Sequence, residues 1–329
     1  VPGMRRGPRG RLRLLVLVVT VLLAIGACGP VEERAPVADG PAIDTMFGPV
    51  TVPSAPQRVL ALGWSDAETA LALGVQPIGA SDWLGFGGDG VGPWAQGRYT
   101  TPPQMLGTSE LSYEQVSSLD PDLILNTRSD GSREKHEELS KIAPTIAPPA
   151  NVPAYGTNWR QQMSMVSTAL GRPNEGARLT ADLDAKFARA KADNPAFAGK
   201  TTVVGTHYQD KYAAYLRGDS RLDLMEELGF RNRPEVQALA NGSFSADLSR
   251  EQIELLSADL SVVFPLDSDA TVLREDQALN QIPAARAGHM VLLDDPMLVN
   301  AMASGSTLGT AHTLDRLVPM LAAALGRAP

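Results

Sequence analysis

Leu111 to Leu125 reads LSYEQVSSLDPDLIL, and Leu248 to Val262 reads LSREQIELLSADLSV. Leu, Ser, Glu, Gln, Leu, Asp and Leu recur in register, one copy in each half of the 329-residue chain. Each copy encodes the same local unit. Ser112 and Ser249 are helix N-caps with Gln115 and Gln252 three residues on, the spacing of a capping box, and Leu111–Val116 and Leu248–Ile253 can staple the entering chain. A short helix, a turn at Asp122 or Asp259 and a buried strand follow. Two like units far apart predict two similar α/β lobes with a cleft between them.

The flanking sequence extends this pattern. Arg58 to Gly63 is a strand, and Ser65 with Glu68 has capping-box spacing for a helix that stops at Gly74. Gln76 to Ser81 is the next strand, and Asp82 to Thr101 (DWLGFGGDGVGPWAQGRYT) is an aperiodic loop rich in Gly, Trp and Pro. Strands alternating with helices predict mostly parallel sheets covered by helices. Asn174 to Asp193 is amphipathic with few breakers and reads as a single long linking helix. A rod in that place limits lobe motion to small angles. The second lobe opens at strand Thr201–Thr206 and closes with an amphipathic helix, Thr307–Leu325. The expected organisation is a signal at 1–27, a tether at 28–43, an N-terminal lobe at 44–172, the linking helix at 173–198 and a C-terminal lobe at 199–329.

The N-terminus reads as an export signal: Arg5, Arg6, Arg9, Arg11 and Arg13 precede the apolar stretch Leu14–Ile25, which is short for a membrane span. It ends in Ile-Gly-Ala-Cys, with Cys28 as the sole cysteine. This resembles a bacterial lipobox, which implies lipidation at Cys28 and anchoring to the outer face of the cytoplasmic membrane. The plainer reading is a cleaved signal with an incidental cysteine. A lone cysteine rules out an internal disulfide or a cysteine-rich metal site. The first 27 residues carry five arginines and no acid, so the net charge of −8 for the whole chain becomes −13 for the rest. So acidic a body argues against nucleic acid and against broad adhesion to anionic lipid.

An exported lipoprotein with two lobes, one linking helix and L-S-x-E-Q…D-L in both lobes resembles the substrate-binding proteins of iron-siderophore and cobalamin ABC importers. "SLDPDLIL", the Arg58 strand followed by a Glu68-bearing helix, and Ala287-Gly-His-Met-Val-Leu292 carry the likeness over Phe47 to Leu325. The resemblance implies a monomeric receptor that captures a ferric siderophore and hands it to an ABC permease dimer with its ATPase. It also implies permease docking through one surface glutamate per lobe, here Glu114 and Glu251. Carboxylate–guanidinium pairs are bidentate and orientation-specific, which suits that role. The plainer reading is that each acid favours the positive end of its helix, at about 0.3–1 kcal/mol.

Ligands of open α/β sheets bind beyond the carboxyl ends of strands. That rule selects Trp64, Ser65, Trp83, Trp94 and Arg128 in the first lobe. In the second it selects His207, Tyr208, Tyr212, Tyr215 and Arg217, with Asn300 to Ser306 closing the cleft. Aromatic faces suit the apolar flank of a large chelate and arginine its anionic oxygens. Structural readings stand beside these: Trp83 as the anchor of its loop, Arg128 in an ion pair within its lobe, His207 as a satisfied imidazole. The acidic body weakly favours neutral or cationic chelates over strongly anionic ones.

Four scattered histidines give no metal-ligand spacing, so no protein metal site and no intrinsic cofactor are expected. Haem or cobalamin is the alternative ligand, with His207 or Tyr208 as an axial haem ligand. The alternative of another class is an envelope-anchored enzyme or assembly factor on the same scaffold. The sequence carries no G-x-S-x-G, H-E-x-x-H or phosphate loop to support an enzyme.

Overall fold

The computed structural model describes residues 3, 38–108 and 110–326. The signal, Cys28 and most of the tether lie outside the described residues. The described residues from 38 onward fall in one compact unit.

The fold opens with a hairpin of β1 (Ala42–Thr45) and β2 (Gly48–Thr51). This corrects the tether boundary at residue 43. Ile43 is buried with Val52 and Met163, and the Asp39 carboxylate accepts from Ser54 N at 3.0 Å, so the chain is ordered against the first lobe before residue 43.

The first lobe holds a parallel sheet of β3 (Val59–Ala61), β4 (Gly79–Ser81), β5 (Gln104–Leu106), β6 (Leu123–Leu125) and β7 (Thr145–Ile146), in the order β5-β4-β3-β6-β7. β3, β4 and β6 are buried along their whole length, as strands covered on both faces must be. The second sheet contains β8 (Thr201–Tyr208), β9 (Lys211–Tyr215), β10 (Arg231–Asn232), β11 (Ser245–Leu248), β12 (Leu260–Pro265) and β13 (Met290–Leu292). Its order is β11-β9-β8-β12-β13, with β10 beside β8. β8, β12 and β13 run parallel, whereas β9 is antiparallel to both of its neighbours.

The linking helix runs from Pro173 to Asp193 and packs on the helices 159–169 and 307–325. Phe187 and Leu183 on it join Trp159 of the first lobe to Leu228, Phe264 and Leu314 of the second in one apolar cluster. The C-terminal helix braces the linker, and Lys186 meets Asp315 at 2.7 Å.

The repeated unit does the same local work twice. Ser112 Oγ accepts from Gln115 N at the start of the helix Tyr113–Ser118. In the second copy the Gln252 side chain accepts from Ser249 N at 3.1 Å. That copy winds as a 3₁₀ helix, Arg250–Leu256, rather than an α-helix. Each turn aspartate then holds the start of the adjacent strand. Asp122 accepts from Gln57 N at 2.7 Å and Arg58 N at 2.9 Å, and Asp259 accepts from Thr201 N at 2.8 Å.

One expected capping box is absent. Ser65 has φ of 63° and makes no cap to the helix Asp66–Ala72. The left-handed turn aims its hydroxyl at the other lobe, where it donates to the Ser304 carbonyl at 2.6 Å. Glu68 likewise turns away from the helix start and accepts from Ser306 Oγ, itself the N-cap of the C-terminal helix.

Candidate functional site

Three loops at the carboxyl end of the first sheet converge on one aromatic stack. Trp64 follows β3 and Trp83 follows β4. Their rings stack at 4.0 Å and 6°. Tyr155 covers the opposite side of Trp64 at 4.0 Å and 22°. All three are only partly buried, so the stack forms a wall open to solvent.

Arg128, following β6, stands beside this wall. Its guanidinium carbon is 5.7 Å from the Trp64 ring centroid and 5.8 Å from that of Trp83. Nε donates to the Tyr155 carbonyl at 2.9 Å. Nη1 donates to the Ser304 carbonyl at 2.6 Å, and Nη2 to Ser220 Oγ at 3.3 Å, both in the second lobe. The residue is 3% exposed and makes no ion pair among the described residues, which corrects the reading of an ion pair within its lobe. Burial pulls its pKa down to about 10, against the pull of Asp219. A buried guanidinium without a bonded carboxylate is held by dipoles and aromatic faces alone, a costly state that a bound anion would relieve.

The second lobe meets this site through the residues after β9. Ser220 begins the helix Ser220–Glu227 and also donates to the Met302 and Ala303 carbonyls at 3.0 Å. Beside it, Arg221 pairs with Asp219 at 2.7 Å and lies 4.3 Å from the Tyr215 ring centroid. Gly305 ends the helix Pro296–Ser304 with φ of 57°. A Cβ there would stand 2.8 Å from Arg128 Nη1 and 2.7 Å from Ser220 Cβ, so both the backbone and the neighbours require glycine. The cavity between Ser220, Asp223, Gly305 and Thr157 measures about 10 Å³, room for one water. Asp223 accepts from Gly218 N at 3.0 Å, and burial pushes its carboxyl up to about 6.

Two buried carboxylates underlie the wall. Asp66 accepts from Thr127 N and from Gln162 Nε2, at 3.0 and 2.8 Å. Glu68 accepts from Gly92 N at 3.3 Å as well as from Ser306. Desolvation raises both pKa values, and the donated hydrogen bonds oppose it.

The structure thus gathers Trp64, Ser65, Trp83 and Arg128. Trp94 has other ring neighbours, Phe86 at 5.5 Å and His312 at 5.4 Å, and packs the C-terminal helix onto the first lobe. The second-lobe expectations need correction. Tyr212 and Tyr215 lie within β9 rather than in a strand-end loop, and both are buried. Tyr212 donates to Asp276 at 2.9 Å, and Tyr215 stacks on Phe264. His207 is buried edge-on against Tyr212. Tyr208 is exposed at the hairpin tip, the opposite end of β9 from Ser220. Arg217 pairs with Glu226 at 2.9 Å and lies near Thr201, at the start of β8. The physical reason is the direction of β9. β9 runs antiparallel to β8, so Ser220, which follows β9 and meets Arg128, lies at the other end of that hairpin from Tyr208. Gly305 and Ser304 lie in the Asn300 to Ser306 stretch expected to close the cleft, whereas sequence reasoning missed Tyr155, Ser220 and Arg221. The Pro153-Ala-Tyr-Gly156 and Gly218-Asp-Ser220 turns were their available signals.

Glu114 and Glu251 are both exposed, each at the second position of its helix. Hydrogen bonds from its own N–H and from Ser249 hold the Glu251 carboxyl below the usual range. Among the described residues no group of three or more His, Cys, Asp or Glu is placed to hold a metal, and no helix is long and apolar enough to cross a membrane.

Residues 59–297 match the periplasmic binding protein family. A curated relative from Bacillus subtilis, "Probable siderophore-binding lipoprotein YfiY", is 27% identical over 240 residues, which span 66% of this chain and 66% of that protein. A periplasmic solute binding protein from Mycobacterium smegmatis is similar in structure, with a TM-score of 0.76 and 28% identity, covering 87% of this chain and 98% of its own. The iron uptake ABC transporter substrate-binding protein PiaA from Streptococcus pneumoniae aligns with a TM-score of 0.71 and 25% identity, covering 87% and 99%.

Proposed function

The chain belongs to the periplasmic binding protein family, and from that premise we propose that it is an extracytoplasmic receptor that captures a ferric siderophore and delivers it to an ABC importer. The observation that carries this reading is the partly exposed Trp83–Trp64–Tyr155 wall with the buried Arg128 guanidinium beside it, where the two lobes meet. Both faces of Trp64 are covered, so the ring edges and outer sides of the stack take the apolar flank of a large chelate, and the guanidinium takes its anionic oxygens. The names of the relatives, a siderophore-binding lipoprotein and an iron uptake substrate-binding protein, support the same ligand class.

Iron arrives inside its organic chelator, and the protein supplies walls and hydrogen bonds rather than metal ligands. Haem is less well served: His207 is buried against Tyr212, and Tyr208 stands at the hairpin tip, the other end of β9 from Ser220 and the aromatic wall. Binding is not accompanied by turnover. Cys28 carries the lipid that holds the receptor at the outer face of the membrane. Glu114 and Glu251, one on each lobe, engage arginines of the two permease subunits.

Uptake tests the whole reading. In cells lacking this protein, uptake of radioactive ferric iron bound to the strain's own secreted chelators falls, and the restored gene recovers it. Charge reversal at Glu114 and Glu251 together abolishes uptake while leaving chelate binding intact. Normal uptake in the double-reversed strain would contradict the docking role. Normal uptake in the deleted strain would contradict the receptor role.

A further inference from the structure

Among the described residues, the two most exposed large apolar side chains are Tyr208 and Leu266, each 47% exposed. They are neighbours. β8 pairs with β12 with His207 opposite Pro265, and Leu266 N donates to the His207 carbonyl at 3.0 Å, which sets Leu266 beside Tyr208. Single exposed apolar residues are ordinary, and these two placed side by side make one small apolar patch at the end of the sheet.

The register shows what else shares that end. Leu248 stands opposite Tyr212, Tyr212 opposite His207, and His207 opposite Pro265, one row across four strands. Tyr208 and Leu266 lie one residue beyond this row, and Ser249 leaves it at the same edge to begin the turn that presents Glu251. With strands about 4.8 Å apart, the apolar pair sits roughly 10–15 Å from the start of that turn. The rim is mostly acidic: Asp210, Glu251 and Asp267 are exposed there, with Lys211 the exposed base of the hairpin. Arg250 is tied to Asp276 at 3.1 Å, which leaves the Glu251 charge uncompensated by its neighbour.

We propose that Tyr208 and Leu266 form the apolar centre of the second lobe's docking surface, with Glu251 on its rim, and that the occupant is an extracytoplasmic loop of an ABC permease subunit that carries apolar side chains flanked by arginine or lysine. This rests on the receptor reading and extends it to contacts that the paired glutamates alone do not supply. A desolvated apolar centre inside a charged rim is where interface energy concentrates, whereas rim charges mainly steer and orient. The acidic rim selects a basic partner and disfavours the anionic membrane surface as the occupant. The solvent-facing hairpin, turned by Gln209 at φ 48° and Asp210 at φ 59°, lifts Tyr208 clear of the lobe.

The test uses the full lipid-anchored chain in cells deleted for its own copy. The Tyr208→Ala/Leu266→Ala protein should keep its thermal melt and its chelate affinity, while uptake of radioactive iron on the strain's own chelators falls about tenfold, equivalent to roughly 1.4 kcal/mol of lost docking energy. Leu266→Lys should lower uptake at least as far, and Met46→Ala, exposed on the first lobe, should leave it unchanged. A photo-crosslinking residue at position 208 should attach to a permease subunit. Normal uptake in the double alanine variant, with uptake lost in Glu251→Lys, would overturn the inference and leave the receptor reading standing. Weakened chelate binding in the double variant would overturn it by making the pair a ligand contact. Normal uptake without the protein at all would overturn both.

Discussion

The Arg128 guanidinium donates to the Ser304 carbonyl at 2.6 Å, across 176 residues of sequence and from one lobe to the other. The same side chain lies beside the Trp64 and Trp83 rings and reaches Ser220. One residue therefore serves as a wall of the proposed site and as a tie between the lobes. An arriving anionic group would compete with the Ser304 carbonyl for its donors, so ligand capture and lobe contact are coupled through this one fork.

Replacing Arg128 by alanine should then have two separable effects. The Tyr155 carbonyl loses its Arg128 donor, at a cost of about 1–3 kcal/mol, whereas the Ser304 carbonyl keeps the donor from Ser65. Urea denaturation should show that loss. Arg128→Lys keeps the charge but not the planar fork, so it should recover part of the stability and little of the ligand affinity.

Asp223 gives a pH dependence of known sign. Burial raises its pKa from 3.8 to about 6, with Asp219 and Glu226 adding to the rise and Arg128 opposing it. The folded protein thus holds this proton more tightly than the unfolded chain. Its contribution is full below pH 3.8 and lost as pH rises through about 6. Asp223→Asn keeps an acceptor for Gly218 N and removes the titration. Relative to the unaltered protein, the variant should gain on the order of 2–3 kcal/mol between pH 4 and pH 8 at 1.36 kcal/mol per unit. Denaturation at the two pH values checks this, and parallel curves would contradict it.

Asp122 and Asp259 should behave as a matched pair. Each accepts from the backbone at the start of the neighbouring central strand. Alanine at either should destabilise by about 1–2 kcal/mol. The two lie in different lobes and share no partner, so the double variant should show the sum within about 0.5 kcal/mol.

The duplicated segment was the legible part because its signals are local. A cap, a staple and a turn aspartate within 15 residues encode a unit whatever surrounds it, and both copies formed. Trp64, Trp83 and Arg128 were legible for a related reason: every strand of the first sheet runs parallel, so the strand-end rule applies to each. The same rule misplaced the second-lobe residues because Tyr208-Gln-Asp-Lys211 lacks the Asn-Gly or Asp-Gly signature of a tight hairpin, and β9 therefore passed as a loop. Tyr155 and Ser220 join the site only through packing of the lobes, which no periodicity in their own segments records. Ser65 shows the limit of motif reading: its spacing to Glu68 fits a capping box, yet both side chains are turned to the other lobe.

The most direct measurement is a tryptophan-fluorescence titration of the soluble body with ferric hydroxamate, catecholate, carboxylate and mixed-type siderophores, haem and cobalamin, each ferric chelate beside its iron-free form. Saturable quenching by one class of ferric chelate, weakened about tenfold or more in Trp64→Ala and in Arg128→Ala, is the predicted result. Equal quenching by every compound, or none by any ferric chelate, would contradict a siderophore receptor built on the Trp83–Trp64–Tyr155 wall.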